Sequence, residues 1–220
     1  MKPFHGDEYL LQMVQIILEK LSVTSFVETG TGNGYTTEFI VSHYNLPIFT
    51  CDIDEERYQL AKARLQQYLH VEIKNCSSEK YIQELIERRI LGELPFFFLD
   101  AHPTAQPELK YIPLPDEVKL IGSLSKAIIL IDDFELPSQP QFGYNVYTGK
   151  IIGVEMIESS LGEENDYEFL IPVYTLKNMP KNIYRGHVFI FQNAGDCLEK
   201  IMGIPFVKEN YKLVSIDELK

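Results

Sequence analysis

The stretch Phe26 to Thr37, FVETGTGNGYTT, sets Gly30, Gly32 and Gly34 at alternate positions directly after a short apolar run that ends on an acid, Glu28. Glycine takes positive φ without steric cost and lets main chain come within van der Waals reach of a ligand, so a strand followed by this loop reads as the opening of a ligand-binding α/β unit. Two common loops fit poorly. A phosphate-cradling loop needs GxxxxGK[ST], and no lysine follows these glycines. A dinucleotide loop needs GxGxxG, whereas the spacing here is GxGxG with Tyr35 where the third glycine would fall. This disfavours a nicotinamide cofactor without removing it. What remains is E/DxGxGxG, in which the glycines turn beneath a nucleoside whose tail carries an amino acid.

Outward from the loop, strands and helices alternate. Leu10, Met13, Val14, Ile17, Leu18 and Leu21 recur every three or four residues and predict an amphipathic helix over about residues 7–21. Ser25 to Thr29 reads as a buried strand, Tyr35 to His43 as a helix and Pro47 to Ile53 as a second strand. Asp54, Glu55 and Glu56 then open a helix with acids at its positive end. The alternation continues with strand His70 to Lys74, helix Ser78 to Leu91, strand Pro95 to Asp100, helix Pro115 to Leu124 and strand Ala127 to Asp133. These apolar runs are continuous, as a parallel sheet covered on both faces requires. The fold class is α/β, a doubly wound Rossmann-like sheet with helices on both faces.

Past Asp133 the pattern changes. Phe134 to Gly149 collects Pro137, Pro140, Gly143 and Gly149 among aromatics, which predicts a mobile loop beside the site. Ile151 to Leu161 reads as one more helix. Tyr167 to Tyr174 and His187 to Gln192 read as strands whose short, helix-free connection makes them antiparallel.

Composition narrows the function. A chain of 220 residues that is 45% hydrophobic suits a single domain over 1–220. Thirty-two acids against twenty bases give a formal charge of −12, which repels a phosphate backbone. A small molecule is therefore expected as the partner, not nucleic acid. Cys51, Cys76 and Cys197 lack CxxC spacing and read as reduced cytosolic thiols. Polar residues interrupt Leu10 to Leu21, which predicts neither signal peptide nor membrane span, hence a cytoplasmic protein with no membrane partner. A homodimer stays open.

The motifs ETGTGNG (Glu28 to Gly34), TCDID (Thr50 to Asp54), FFFLDAH (Phe96 to His102) and IILIDDF (Ile128 to Phe134) follow in that order. With them the chain resembles a class I S-adenosylmethionine-dependent methyltransferase over roughly Phe26 to Gln192. The resemblance is closest to small-molecule, catechol-type, metal-binding O-methyltransferases. It implies a seven-stranded mixed sheet with the last strand inserted antiparallel, and S-adenosylmethionine held along Glu28, Thr29, Gly30, Thr31, Gly32 and Gly34. Asp52, with Ile53 beside it, stands where a carboxylate accepts both ribose hydroxyls. Its alternative is a helix cap, for which Asp54 is better placed. The family often has an acid after the third strand to receive the adenine amino group. Here Cys76 aligns with it, and Ser77 or a neighbouring backbone group is the substitute. Thr36 reads either as a hydroxyl for the methionine carboxylate at a helix start or as an ordinary cap.

The acids at later strand ends carry the chemistry. Asp100 and the pair Asp132 and Asp133 end strands expected to lie side by side, about 5 Å apart. Three converging carboxylates need a proton or a cation, and oxygen ligands suit Mg2+ or Mn2+. The resemblance supports this, since metal-dependent members carry acids at these strand ends. The alternative is that Asp100 binds the amino group of the cofactor while Asp132 and Asp133 cap turns. Catechol-type enzymes also carry a base lysine three residues beyond the first metal aspartate, where this chain has Pro103. His102 is the substitute base, or else a structural hydrogen-bonder. The implied reaction is methyl transfer to a small-molecule oxygen, with Phe142, Tyr144 and Tyr147 as lid or acceptor wall, or as core. The rivals are a hydroxylase-like relative using the same acids and a nicotinamide oxidoreductase.

Overall fold

A computed structural model of the chain describes residues 2–102, 111–147, 149–175 and 184–220. Pro103, Thr148 and most of the connection before His187 lie outside the described residues. A short 3-10 turn at Pro3–Gly6 precedes α1 (Glu8–Lys20). Then come β1 (Ser25–Thr29), α2 (Tyr35–His43), β2 (Ile48–Asp52), α3 (Glu55–Leu65), β3 (Val71–Asn75) and α4 (Ser78–Arg88). They are followed by β4 (Pro95–Leu99), α5 (Leu114–Ile121), β5 (Ala127–Ile131), β6 (Val146–Tyr147), β7 (Lys150–Ile151) and α6 (Val154–Ile157). The chain continues through β8 (Tyr167–Pro172), β9 (Val188–Gln192), α7 (Gly195–Met202), α8 (Pro205–Asn210) and β10 (Tyr211–Val214).

Eight strands form one sheet in the order β10-β8-β9-β5-β4-β1-β2-β3. The pairings β1–β2, β2–β3, β1–β4 and β4–β5 are parallel. β9 inserts antiparallel between β5 and β8, as the sequence led us to expect. The seven expected strands are thus present, with an eighth, β10, added antiparallel at the β8 edge. Every residue of β1, β2, β4, β5 and β9 is buried, because helices cover both faces of these central strands. The strand order reverses between β1 and β4, the crevice in which open α/β sheets bind ligands.

The helix starts follow local chemistry. Asp7 caps α1, accepting from the Tyr9 and Leu10 amides at 2.9 Å each. The α1 stripe of Leu10, Met13, Val14 and Ile17 is buried, so this helix is packing structure. Asp54 caps α3 through the Glu56 and Arg57 amides. Among the described residues no helix is long and apolar enough to cross a membrane.

The expected helix from Ile151 to Leu161 is corrected. Ile151 lies in the β6–β7 hairpin, turned at Gly149 with φ 79°, and Gly153 is extended ahead of α6. The helix therefore starts at Val154, and a 3-10 turn at Glu158–Ser160 ends it. The same hairpin gives regular structure to part of the segment expected to be loop.

Asp7 also accepts a hydrogen bond of 2.6 Å from the Tyr174 hydroxyl, tying α1 to the segment after β8. Asp7→Ala should lower unfolding free energy by about 1–3 kcal/mol, from the lost cap and a buried hydroxyl left unpaired. Urea denaturation checks this; an unchanged midpoint and slope would show that neither bond contributes.

Candidate functional site

The glycine turn is built by close approach. Gly30 has φ 79°, and a Cβ placed on it would lie 2.3 Å from the Asp100 carbonyl oxygen. The Gly30 and Thr31 amides both donate to Cys51 O, and the Asp100 amide donates to Thr29 O. Only glycine fits there. Gly34, φ 76°, packs its bare side against Ala61 at the entry to α2. Gly32 differs: φ is 53° and a Cβ there would meet nothing within 4 Å. That space is where a ligand can reach main chain.

Beneath the turn lies a buried polar layer. Glu28 accepts from the Thr37 hydroxyl and, at 3.1 Å, from Thr50, whose oxygen also bonds Thr31 Oγ1. Burial pushes the Glu28 carboxyl up to about 8, against the two threonine bonds. Thr31 thus turns its side chain inward and leaves only main chain on the loop. Thr29 is buried, with Oγ1 lacking a partner.

Asp52 is buried, with one oxygen on the Gly32 amide at 2.8 Å and the other on the Asp54 amide at 2.9 Å. Burial raises its pKa despite these bonds. It thus braces the glycine turn, while Asp54 does the capping, and each oxygen retains a lone pair. Ile53 beside it is exposed, an apolar surface next to the acid. Cys76 is half-buried and hydrogen-bonded to Cys51; that contact lowers the Cys76 thiol and raises the Cys51 thiol. Ser77 precedes α4 without a side-chain cap and donates to Glu79. Thr36, in the first turn of α2, accepts from the Phe4 amide at 3.2 Å.

The β4–β5 register sets Leu99 beside Ile131, so Asp100 and Asp132 emerge side by side. The group between them is one the sequence did not suggest, His5 from the N-terminal turn. Its Nε2 lies 3.2 Å from Asp100 Oδ2 and 3.3 Å from Asp132 Oδ2. These two bonds raise the imidazole pKa to about 11. Burial raises Asp100. Burial alone would raise Asp132 too, but His5 outweighs it and holds that carboxyl below the usual range. Asp133, at φ 55°, faces another way: it accepts from Asn145 and Tyr147 and pairs with Arg185 at 3.3 Å. The three aspartates thus divide into two clusters that share Asp100. One is His5, Asp100 and Asp132; the other is Asp100, His102 and Asp133, and within each the ligand atoms lie within 4.8 Å of one another.

His102 is 8% exposed. Its Nε2 is 3.2 Å from the Asp132 carbonyl, which can only accept, so Nε2 carries the hydrogen. Nδ1 is buried without a partner. Glu117, 1% exposed, stands on the apolar stripe of α5 beside Leu114, Val118 and Ile121. Burial pushes it up to about 7, tempered by nearby Ser78, Thr29 and His102. Its Oε1 and the two hydroxyls nevertheless lack aligned hydrogen bonds. An acid on a buried helix stripe was visible in the sequence; a contact from His5 across the chain was not.

Phe142 and Tyr147 are buried and Tyr144 is exposed. Tyr147 packs its ring 5.2 Å from that of His102 and donates to Asp133, placing it in the wall of the acid site. A separate cleft of about 770 Å³, lined among others by Tyr111, Asp116, Glu135 and Lys150, includes none of these site residues.

No protein-family model matches the chain, and no curated protein matches it by sequence. Solved structures match by shape. Spermidine synthase from Thermotoga maritima superposes at TM-score 0.55 with 10% identity, over 88% of this chain and 63% of that one, so the chain spans less than two thirds of that protein. The N-methyltransferase NodS from Bradyrhizobium japonicum, in complex with S-adenosyl-L-homocysteine, gives 0.53 with 15% identity over 87% and 88%. The O-methyltransferase from Bacillus cereus, in complex with the same ligand, gives 0.52 with 14% identity over 85% and 81%. The chain has the Rossmann-like fold of these methyltransferases. A fold shared also by a spermidine synthase does not choose the reaction.

Glu28 supplies a pH test of the buried layer. Its folded pKa is raised, so the folded state holds the proton more tightly than the unfolded chain. The stabilisation is complete below about pH 4.5 and is lost as pH rises toward 8. Glu28→Gln keeps the neutral shape, and Glu117 contributes equally to both proteins. The difference in unfolding free energy should swing toward the variant by a few kcal/mol between pH 5 and pH 8. A pH-independent difference in denaturation would mean that Glu28 is ionised and satisfied in the fold.

Proposed function

We propose that the protein is an S-adenosylmethionine-dependent methyltransferase acting on an oxygen of a small polar molecule, assisted by a divalent cation. The observation that carries this is the Gly32 turn. Its bare side faces open space in a left-handed backbone, braced by Asp52 on one flank and joined through Gly30 to Asp100 on the other. In this reading the free lone pairs of Asp52 take the ribose hydroxyls and Ile53 meets a face of the base. Cys76 and Ser77 border the adenine, and the first turn of α2 receives the methionine carboxylate, the Thr36 hydroxyl donating to it while accepting from the Phe4 amide.

The donor set fits a cation, since carboxylates from adjacent strand ends and an imidazole offer oxygen and nitrogen around Asp100. The two clusters that meet at Asp100 would supply its ligands, and a bound divalent ion would make a coordinated acceptor hydroxyl more acidic. The remaining steps belong to the chain. His102 would take the acceptor's proton on Nδ1, the nitrogen without a protein partner, while the Nε2 bond to the Asp132 carbonyl fixes the ring. Bound S-adenosylmethionine would supply a methyl group activated by positive sulfur, the new O–CH3 bond forming as the S–CH3 bond breaks and a neutral thioether leaves. The transferred group is already activated, so most of the acceleration comes from orientation and exclusion of water. Tyr147, packed on His102, forms part of the acceptor side. The chain's net charge of −12 sets it against a nucleic-acid acceptor.

Calorimetry with S-adenosylhomocysteine tests the cofactor seat. Asp52→Ala should weaken binding by about 2–3 kcal/mol, and Gly32→Val should abolish it while circular dichroism stays native. Wild-type affinity in either variant, or binding of NAD in preference, would overturn the assignment.

A further inference from the structure

The N-terminal turn is positioned like part of the site. Phe4 is buried, with its ring 5.2 Å from that of Phe98 in β4 and its amide on Thr36. Two residues after His5, Asp7 bonds back to Phe4 O at 3.0 Å and begins α1. His5 is thus anchored on both sides, and its backbone, with those of Phe4 and Gly6, has positive φ of 53°, 47° and 86°. For a non-glycine residue that conformation is strained, and it persists only where surrounding contacts impose it. The result is an imidazole more than half exposed at 54%, with its inner nitrogen set against two strand-end carboxylates.

The distances have a chemical meaning. Ligands at about 2.1 Å from an octahedral ion stand about 3.0 Å from one another, and those of a tetrahedral ion slightly more. Nε2 of His5 lies 3.2 and 3.3 Å from the two aspartate oxygens, close to neighbouring positions around one ion. A second observation points the same way. His102 is over nine-tenths buried, has an unpartnered Nδ1, and offers a ring nitrogen within 4.8 Å of Asp100 in the adjoining cluster, so a second imidazole borders the same acid. Asp133, in contrast, is already engaged by Arg185, Tyr147 and Asn145.

We propose that His5 is a direct ligand of the cation, together with Asp100 and Asp132. The N-terminal turn then completes the metal site, in place of the three-aspartate set expected from the sequence. Nitrogen in the donor set selects a first-row transition ion such as Mn2+ over Mg2+, which prefers oxygen alone and keeps its water. The inference rests on the cation-assisted reading of this site but not on methyl transfer itself.

The probe is Mn2+ added to chelator-treated full-length protein, followed by electron paramagnetic resonance and pulsed measurement of 14N coupling. Wild type should bind one Mn2+ at this site, show imidazole 14N modulation, and hold Mn2+ at least tenfold tighter than Mg2+. His5→Ala should lose at least tenfold in Mn2+ affinity and reduce the 14N modulation, while Asp132→Ala loses more. His5 is exposed, so unfolding does not confuse the result, and circular dichroism verifies it. Tighter Mn2+ binding by His5→Ala would show that the imidazolium only stands in for a cation and would overturn the proposal, as would unchanged 14N modulation or no binding by wild type. S-adenosylhomocysteine affinity, measured separately without metal, reports on the methyltransferase reading. Its loss with Mn2+ binding intact would sink that reading alone, and the reverse result would sink this one alone.

Discussion

Gly30 lies against the Asp100 carbonyl so closely that any side chain would strike it, and the site is organised around that contact. The Thr29 carbonyl takes the Asp100 amide while the Gly30 amide reaches Cys51, so the ends of β1, β2 and β4 are laced together. The glycine turn and the first strand-end acid therefore form one rigid unit. A ligand on the Gly32 side is held at a fixed offset from chemistry at Asp100, with no hinge between them. The proposed methyl transfer would demand this, since small errors in the line of attack forfeit much of the gain from orientation.

The second constraint is charge. Five acids, Glu28, Asp52, Asp100, Asp132 and Asp133, end strands on one side of the sheet, and each is compensated differently. Glu28 is kept largely neutral by burial over two threonines. Asp52 is solvated by two backbone amides. Asp133 has a guanidinium, an amide and a phenol. Asp100 and Asp132 share a single imidazole on an exposed turn. Backbone amides cannot be exchanged for a ligand without rearranging the fold, whereas an imidazole on a terminal turn can change its partner. The acids fixed by the interior shape the site, and the pair facing His5 is where a cation can enter.

The sheet was legible because its strands are short, continuous apolar runs bounded by turn residues; Ser25 to Thr29 and Tyr35 to His43 match the observed elements. The Asp54 cap was legible for the same local reason. Ile151 was not, since an apolar residue fits a helix stripe and a hairpin equally, and the pairing with Val146 that decides it is tertiary. The tail after β9 adds two helices and an edge strand that no motif announced. At the site, the motif acids were found where expected at strand ends, but their partners were not predictable. His5 meets Asp100 across 95 positions through a turn of unusual φ, and Asp133 is turned away by Arg185. Sequence spacing locates strand ends; the rotation of each carboxylate depends on partners brought in by the rest of the chain.

A crystal structure of the protein with S-adenosylhomocysteine tests the central claim most directly. The account predicts ribose hydroxyls on the Asp52 carboxylate, the amino-acid tail running over Gly32 toward the start of α2, and the sulfur facing Asp100 and His102. A ligand seated away from the Gly32 turn, or one whose sulfur points away from Asp100 and His102, would contradict it.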